Sequence, residues 1–292
     1  MLTATRRQDP AFPKGCPLKL TGRRQDIRRH FIVKPRSKVD LGALDPADTS
    51  HVRDKEIAKE RLKEDAQAID ALQERLFAEG SRALLVILQG TDTSGKDGTV
   101  RGVFGSTGPT GVALTSFKKP SEEEVAHDFL WRVHKACPQR GMIGIFNRSH
   151  YEDVLVGKVR KLALPAAIEH RYDQINAFED LISSSTHIVK FMLHISKEEQ
   201  KERLQARLDD PHKHWKFNPA DLQDRLLWDE YMRAYETVLS RCSTKVAPWY
   251  VIPSDKKWAR NAVIAAIVRR TLEDLDPRYP KPDWEPKDFE LV

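Results

Sequence analysis

The chain has 292 residues, 40% of them hydrophobic and 32% charged, and its 49 basic and 43 acidic side chains leave a formal net charge of +6. This is the composition of a globular protein with a substantial core, and no apolar run approaches the roughly 20 residues that span a bilayer. The mild basic excess suits a polyanionic ligand, while the zinc-finger and RNA-recognition signatures of nucleic-acid binders are missing. Cys16, Cys137 and Cys242 are far apart, odd in number and without metal-ligand spacing. With no apolar stretch near the amino terminus, a cytoplasmic protein is expected, without membrane or nucleic-acid partners.

Residues 1–45 mix Pro, Gly, Lys and Arg without a steady period and predict an irregular amino-terminal arm over the surface. From about Pro46 to Glu79, Ile57, Leu62, Ala66, Ile69, Leu72 and Leu76 recur at helical spacing, and Gly80 closes the helix. The next stretch organises the chain. Ala83 to Gln89 is a fully apolar run ending in one glutamine, the pattern of a strand buried on both faces. Gly90-Thr91-Asp92-Thr93-Ser94-Gly95-Lys96-Asp97-Gly98 then keeps the Gly-x-x-x-x-Gly-Lys spacing of a phosphate loop. Strand before and helix after are the context that separates such a loop from an ordinary glycine turn. Its inward backbone N–H groups form a nest for phosphate oxygens, with Gly90, Thr93, Ser94, Gly95, Asp97, Gly98 and Thr99 as candidate contacts and Lys96 as a point charge. Position 97 is Asp where the common loop has a magnesium-holding Ser or Thr, which makes Asp92 the candidate ligand.

The loop's own helix runs to about Phe104, and a second strand spans Val112 to Phe117. Lys118 and Lys119 follow it at the ligand-facing end of a parallel sheet, Lys118 as a phosphate contact and Lys119 as a solvated neighbour. Ser121 and Glu124 form a capping box for a helix to about Ala136, on which Arg132 is either a crevice residue or a surface arginine. Met142 to Phe146 is a third strand, followed by Asn147-Arg148-Ser149-His150-Tyr151-Glu152-Asp153. Arginine and acids immediately past a buried strand suit a second phosphate-and-metal element, or simply a helix start with acids on its dipole. His187 to Ile195 is the fourth strand, and Ser196 caps the next helix. Arg203 and Arg207 share one face of it ahead of a basic loop containing Lys216, which reads as a lid closing on phosphates; pairing with Glu199 or Asp210 is the competing possibility. Trp249 to Pro253 is the fifth strand, Asp255 opens a last helix to about Leu275, and residues 276–292 form a proline-rich tail.

Strands alternating with helices predict an α/β fold: a five-stranded parallel sheet with helices on both faces, in one domain over residues 46–275 with a helical lid at about 200–230. The residues fit phosphoryl transfer, in which positioning and charge neutralisation do most of the work. A phosphate acceptor, already ionised at neutral pH, needs no general base, so a kinase acting on phosphate groups fits as well as one acting on an alcohol. The guanine-recognition Asn-Lys-x-Asp motif and the protein-kinase motif set are absent.

Gly90 to Gly98, Ser116-Phe117-Lys118-Lys119-Pro120, Phe146 to Val154, Trp215-Lys216, Trp228-Asp229-Glu230-Tyr231, Ala234-Tyr235 and Ala247-Pro248-Trp249 occur in this order. In these motifs the chain closely resembles the second family of polyphosphate kinases, over residues 24–275. The resemblance implies a thymidylate-kinase-like P-loop fold and reversible transfer of the terminal phosphoryl of inorganic polyphosphate to AMP or ADP. Adenine nucleotides, guanine nucleotides as a further class, Mg2+ and a dimer or tetramer come with it. Asp92 would orient the acceptor phosphate and share magnesium with Asp153, while Lys96, Arg148, Arg203 and Arg207 would grip phosphates. Glu152 directly before Asp153 suggests the subgroup acting on both mono- and diphosphates. An ATP-dependent nucleotide kinase and a non-catalytic polyanion-binding module are the alternatives.

Overall fold

A computed structural model describes residues 26–52, 54–285, 287 and 289. Residues 1–25, with Cys16 and most of the expected arm, and the last residues of the tail lie outside them. Five strands form one parallel sheet in the order β2-β3-β1-β4-β5: β1 (Ala83–Gln89), β2 (Val112–Ser116), β3 (Ile143–Asn147), β4 (Thr186–His194) and β5 (Trp249–Pro253). The α/β prediction and all five strands are met. Every residue of β1 is buried, because β1 is central and has helices on both sides.

The alternation of side chains along β1 divides the core. Leu84, Val86 and Leu88 pack with α2 (Lys55–Glu79), α3 (Lys96–Phe104) and α11 (Lys257–Leu275). Leu85 and Ile87 face Val133 of α5 (Trp131–Ala136) and Phe178 of α7 (Pro165–Ile182). Beside them, α6 (Glu152–Val159), α7 and α10 (Trp228–Cys242) enclose a third cluster around Tyr151, Tyr172 and Trp249. With one face apolar in each direction, a one-residue slip of β1 would exchange the two sets, so the register is strongly specified.

Several local expectations are modified. The long helix begins at Lys55 rather than Pro46, because Asp54 is its N-cap, accepting from the N–H groups of Glu56 and Ile57. Gly80 closes it in the left-handed conformation, as expected. The helix predicted to run from Ser121 to Ala136 is two: α4 (Glu122–Val125), which carries the full capping box, and α5. Ser196 caps α8 (Lys197–Leu208) as expected, accepting from Glu199 N, whereas Asp255 does not cap α11, whose N-cap is Lys256, but accepts from Ser196 N and Oγ, both at 2.9 Å. Nor are the described residues of the arm merely draped on the surface. Beyond α1 (Arg28–Phe31), Ile32 bridges Tyr250 antiparallel at the sheet edge, and Phe31, Val33 and Leu41 are buried. Among the described residues no helix is long and apolar enough to cross a membrane.

After β4 the chain leaves the sheet as α8, a 3-10 turn over Pro211–Lys216, α9 (Ala220–Leu226) and α10 before returning as β5. This excursion lies over the carboxyl ends of β1 and β3, where an α/β sheet presents its ligand crevice.

Candidate active site

The loop from Gly90 to Gly95 joins buried β1 to α3, whose N-cap is Gly95 at φ 104°. A β-carbon on Gly90 would stand 2.6 Å from Ser94 Oγ and 2.9 Å from the Leu193 carbonyl, so no larger residue fits that approach. Four hydroxyls of this segment, those of Thr91, Thr93, Ser94 and Thr99, are buried without a hydrogen-bond partner. Buried polar groups left unpaired are uncommon. A cluster of them around a glycine loop at a helix N-terminus is a site built for a polar anion and its counter-ion.

Lys96 is buried and folded over the loop, donating to the carbonyls of Gly90 at 2.7 Å and Thr91 at 3.1 Å. Burial, and secondarily Arg148, push its ammonium down to about 8. A bound phosphate would restore its charge. Anion binding above that pH therefore requires proton uptake, and affinity for tripolyphosphate falls by at most about tenfold per pH unit as pH rises through 8. Calorimetry in buffers of different ionisation enthalpy measures that uptake; Lys96→Arg, charged throughout, abolishes it. Persistent uptake in this variant would remove Lys96 from the cup.

Opposite the loop, β3 ends at Asn147, whose Nδ2 donates to Asp97 Oδ1 at 2.6 Å. The two phosphate elements are thus tied together by residues from each. Arg148, at φ 63°, donates to Asp92 Oδ1 at 2.5 Å and to Glu152 Oε2 at 3.3 Å. Burial works against its charge, but Glu152 and Asp92 outweigh it and keep the guanidinium firmly protonated. Asp92, Arg148 and Glu152 line a pocket with Leu155, Val156, Gln200, Asp224, Trp228, Tyr231 and Tyr235. A charged floor under aromatic walls suits a nucleotide, with phosphates at the loop and the base against the rings.

No direct contact supports the expected pairing of Asp92 with Asp153. Glu152 opens α6 and shares Arg148 with Asp92, whereas consecutive helical residues point about 100° apart. Asp153 instead faces Arg171 at 3.6 Å, and no contact joins it to Asp92. Among the described residues no three His, Cys, Asp or Glu side chains are grouped to hold a metal alone. The donors fit magnesium in its usual open form, with one or two carboxylates plus substrate phosphates and water. Asp92 and the unpartnered loop hydroxyls would supply the hard oxygens.

The arginines divide. Arg203 is buried and all five of its donors are engaged: Nε with Glu199 at 2.7 Å, Nη1 with the carbonyls of Thr93 and Ser94 at 2.9 and 3.2 Å, and Nη2 with those of Ser254 and Asp255 at 2.7 and 2.9 Å. It clamps the back of the loop to the chain after β5 and has no donor left for phosphate. Arg132 is buried likewise, donating to the Lys118 carbonyl at 2.9 Å and lying over Phe117, so it braces the chain after β2. The Lys118 side chain is exposed, and Lys216 lies against the Trp215 ring. Arg207 donates to the Lys216 carbonyl at 3.0 Å and is 3.5 Å from Asp221.

Similarity now adds what geometry cannot. The family model for polyphosphate kinase 2 matches residues 52–280. The chain belongs to the polyphosphate kinase 2 family. It is 48% identical to an AMP/ADP-polyphosphate phosphotransferase of Meiothermus ruber, over 87% of this chain and 96% of that one. It is 40% identical to an ADP-polyphosphate phosphotransferase of Rhodopseudomonas palustris, covering 87% and 92% of the two chains. The crystal structure of polyphosphate kinase 2 from Arthrobacter aurescens matches with a TM-score of 0.84 at 43% identity, over 88% of this chain and 95% of that one.

The α8–α10 excursion carries more than its basic residues. Asp221 of α9 is nine-tenths buried, and burial followed by the charge of Asp92 raises its carboxyl to about 6. Gln200 of α8 donates to the Asp92 carbonyl at 3.2 Å and accepts from Arg225 of α9 at 3.0 Å. Asp224 accepts from Tyr231 at 2.7 Å and from Arg160, the C-cap of α6, at 2.8 Å. Gln200, Asp221, Asp224 and Arg225 do not stand out in the sequence, because each lies on a charged helix.

Gly95 tests the loop's geometry. A β-carbon there would stand 1.8 Å from Arg260 Nη1, at a φ that L-residues rarely adopt. Gly95→Ala therefore strains the backbone by about 1–3 kcal/mol and displaces a buried guanidinium. The expected outcome is a lower melting temperature and activity down by about a hundredfold, consistent with a misplacement near 1 Å. Wild-type rates in this variant would show that the loop tolerates another shape.

Proposed function

We propose that this protein transfers the terminal phosphoryl group of inorganic polyphosphate to AMP and ADP, giving ADP and ATP, with magnesium. The observation that carries the reading is the joint pocket. The phosphate loop and the second element meet through Arg148, Asp92 and Glu152, beneath Trp228, Tyr231 and Tyr235. The names of the relatives from Meiothermus ruber and Rhodopseudomonas palustris support polyphosphate as donor and adenylates as acceptors.

The chain's own groups account for most of the chemistry. Loop amides and Lys96 hold the phosphoryl group that moves, and Arg148 places positive charge where the bridging oxygens gain electrons. Asp92 orients the acceptor phosphate through its position beside Arg148. The acceptor is already ionised, so no base has to remove a proton. Asp92 and the substrate phosphates would hold magnesium, which would supply further charge neutralisation. A phosphoanhydride is broken and another made, so the reaction runs in both directions. Such nucleotide chemistry fits a cytoplasmic protein. Exposed Phe77 and the exposed Leu114 of edge strand β2 offer apolar surface for self-association as a dimer or tetramer.

The deciding experiment incubates pure protein with magnesium, long-chain polyphosphate and either AMP or ADP, and separates the products. ATP from ADP and ADP from AMP are expected. Turnover with ATP as donor and none with polyphosphate would instead make it an ATP-dependent nucleotide kinase. Tight polyphosphate binding without any product would leave a binding module.

A further inference from the structure

Behind the phosphate loop two guanidinium groups converge on one carbonyl. Arg203 Nη1 is 3.2 Å and Arg260 Nη1 3.0 Å from the oxygen of Ser94. Arg203 has Glu199 beside it to offset its charge. Arg260, from α11, has no such partner. It is 2% exposed, its remaining bonds are to neutral Asn261 Oδ1 at 3.0 and 2.9 Å, and among the described residues no carboxylate pairs with it.

Its place is equally specific. The guanidinium occupies the space that a side chain at Gly95 would take, and its Nη2 is 3.2 Å from where a β-carbon at Gly98 would sit. It therefore fills the rear of the turn whose front amides form the anion cup. A buried cation without a counter-charge is unfavourable. In most folds it would be replaced by an apolar residue or given an acid, and here it has neither.

We propose that Arg260 is a positioning residue for the phosphate loop, holding the Ser94–Gly95 turn from behind with a charge that stays unbalanced until polyphosphate fills the cup in front. The proposal rests on the reading of polyphosphate as the loop's ligand. Two consequences of opposite sign follow. In the free protein the unpaired charge costs stability, and in the complex the same charge attracts the anion across the buried turn, where screening is weak. Burial and the neighbouring Arg203 push the Arg260 guanidinium down to about 10, in keeping with a charge that lacks an anion. The Ser94 carbonyl keeps Arg203 as a donor if Arg260 is removed, so the loop is not orphaned by the substitution.

Arg260→Met and Arg260→Lys, beside wild type, separate these effects. Melting is measured without ligand and with sodium tripolyphosphate, binding by calorimetry, and kcat and KM with ADP and polyphosphate. Arg260→Met is expected to melt at or above the wild-type temperature without ligand, to bind tripolyphosphate about tenfold more weakly, and to raise KM for polyphosphate more than it lowers kcat. Arg260→Lys, which keeps the charge and loses the fork, should recover binding to within about threefold. Unaltered tripolyphosphate binding in Arg260→Met, or Arg260→Lys as weak as Arg260→Met, overturns the proposal. So does a large drop in the unliganded melting temperature, which would make the side chain a structural clamp. If Arg260→Met does not fold, that is the same refutation, and binding by Arg260→Lys then shows whether charge has any role. A wild-type protein that makes no ATP refutes the functional reading instead, while the binding comparison still decides the role of Arg260.

Discussion

Asp92→Asn lowers kcat for phosphoryl transfer by about a thousandfold, the scale of removing one charged group from a preorganised phosphoryl-transfer site. Melting should be nearly unchanged, because Asn is isosteric and its amide oxygen can still accept from Arg148, which is 2.5 Å from Asp92 Oδ1 in the native site. What disappears is the negative charge that holds magnesium and aligns the acceptor. Glu152→Gln should cost less, since Arg148 keeps Asp92 and the second carboxylate stands farther off, at 3.3 Å. Asp153→Asn is the informative control. Its carboxylate faces Arg171 rather than the loop, and burial raises its pKa against the pull of Arg171 and Arg132, so its loss should be tenfold or more milder than that of Asp92. Initial rates over a range of ADP and polyphosphate, on variants with matched melting curves, make the comparison. Near-wild-type turnover by Asp92→Asn, or equal losses at both positions, would remove Asp92 from its special role.

The strands were legible because β1, β3, β4 and β5 are buried on both faces and read as apolar runs between turn signals. The phosphate loop was legible because its backbone demands glycine at positions 90 and 95. Helix α7 is not evident in the sequence for a physical reason: its buried stripe, Ile168, Tyr172, Ile175, Phe178, Glu179 and Ile182, contains a fully buried glutamate that breaks the apolar pattern. Asp128 splits the helix predicted to run from Ser121, accepting from Leu130 N at 2.9 Å and competing with helical bonding in the way short polar residues do. The site followed the same logic. Spacing puts Arg203 and Arg207 on one face of α8, but it does not say that five acceptors from three segments wait opposite Arg203. Neighbouring acids at 152 and 153 are chemically interchangeable in a motif, and only the direction in which α6 begins decides which of them meets Asp92. Arg260 has no local signature at all. Its role comes from tertiary contact with glycines more than 160 positions earlier in the chain.

The largest effect on stability belongs to a group outside the pocket. Glu179 and Lys190 are both fully buried, and the ammonium of Lys190 uses its three protons on Glu179 Oε2 at 2.5 Å, Tyr151 Oη at 2.7 Å and the Cys242 carbonyl at 2.8 Å. Tyr151 donates onward to Glu179 Oε1 at 2.8 Å, and His150 Nε2 lies 3.2 Å from the same oxygen. This network joins β4, α7 and the turn that aims Arg148 and Glu152. Glu179→Gln keeps the shape and deletes the charge, leaving a buried ammonium unpaired at a cost of about 3–5 kcal/mol. For a chain of this size that is roughly 10 °C in melting temperature. Lys190→Met should be similarly costly, and the double variant should lose clearly less than the sum, because neither charge is then stranded. The pH dependence has a definite sign. Burial opposes the charge of Glu179, yet Lys190 and His150 outweigh it and hold the folded-state pKa below the usual carboxylate value. Its contribution is therefore present above about pH 4.5 and is lost as pH falls through the depressed value, a loss that Glu179→Gln should not show. Because Arg148 and Glu152 flank the anchored turn, kcat should fall with the melting temperature. Unchanged melting in Glu179→Gln would mean that Lys190 is neutral in the folded protein and that the turn is held by packing alone.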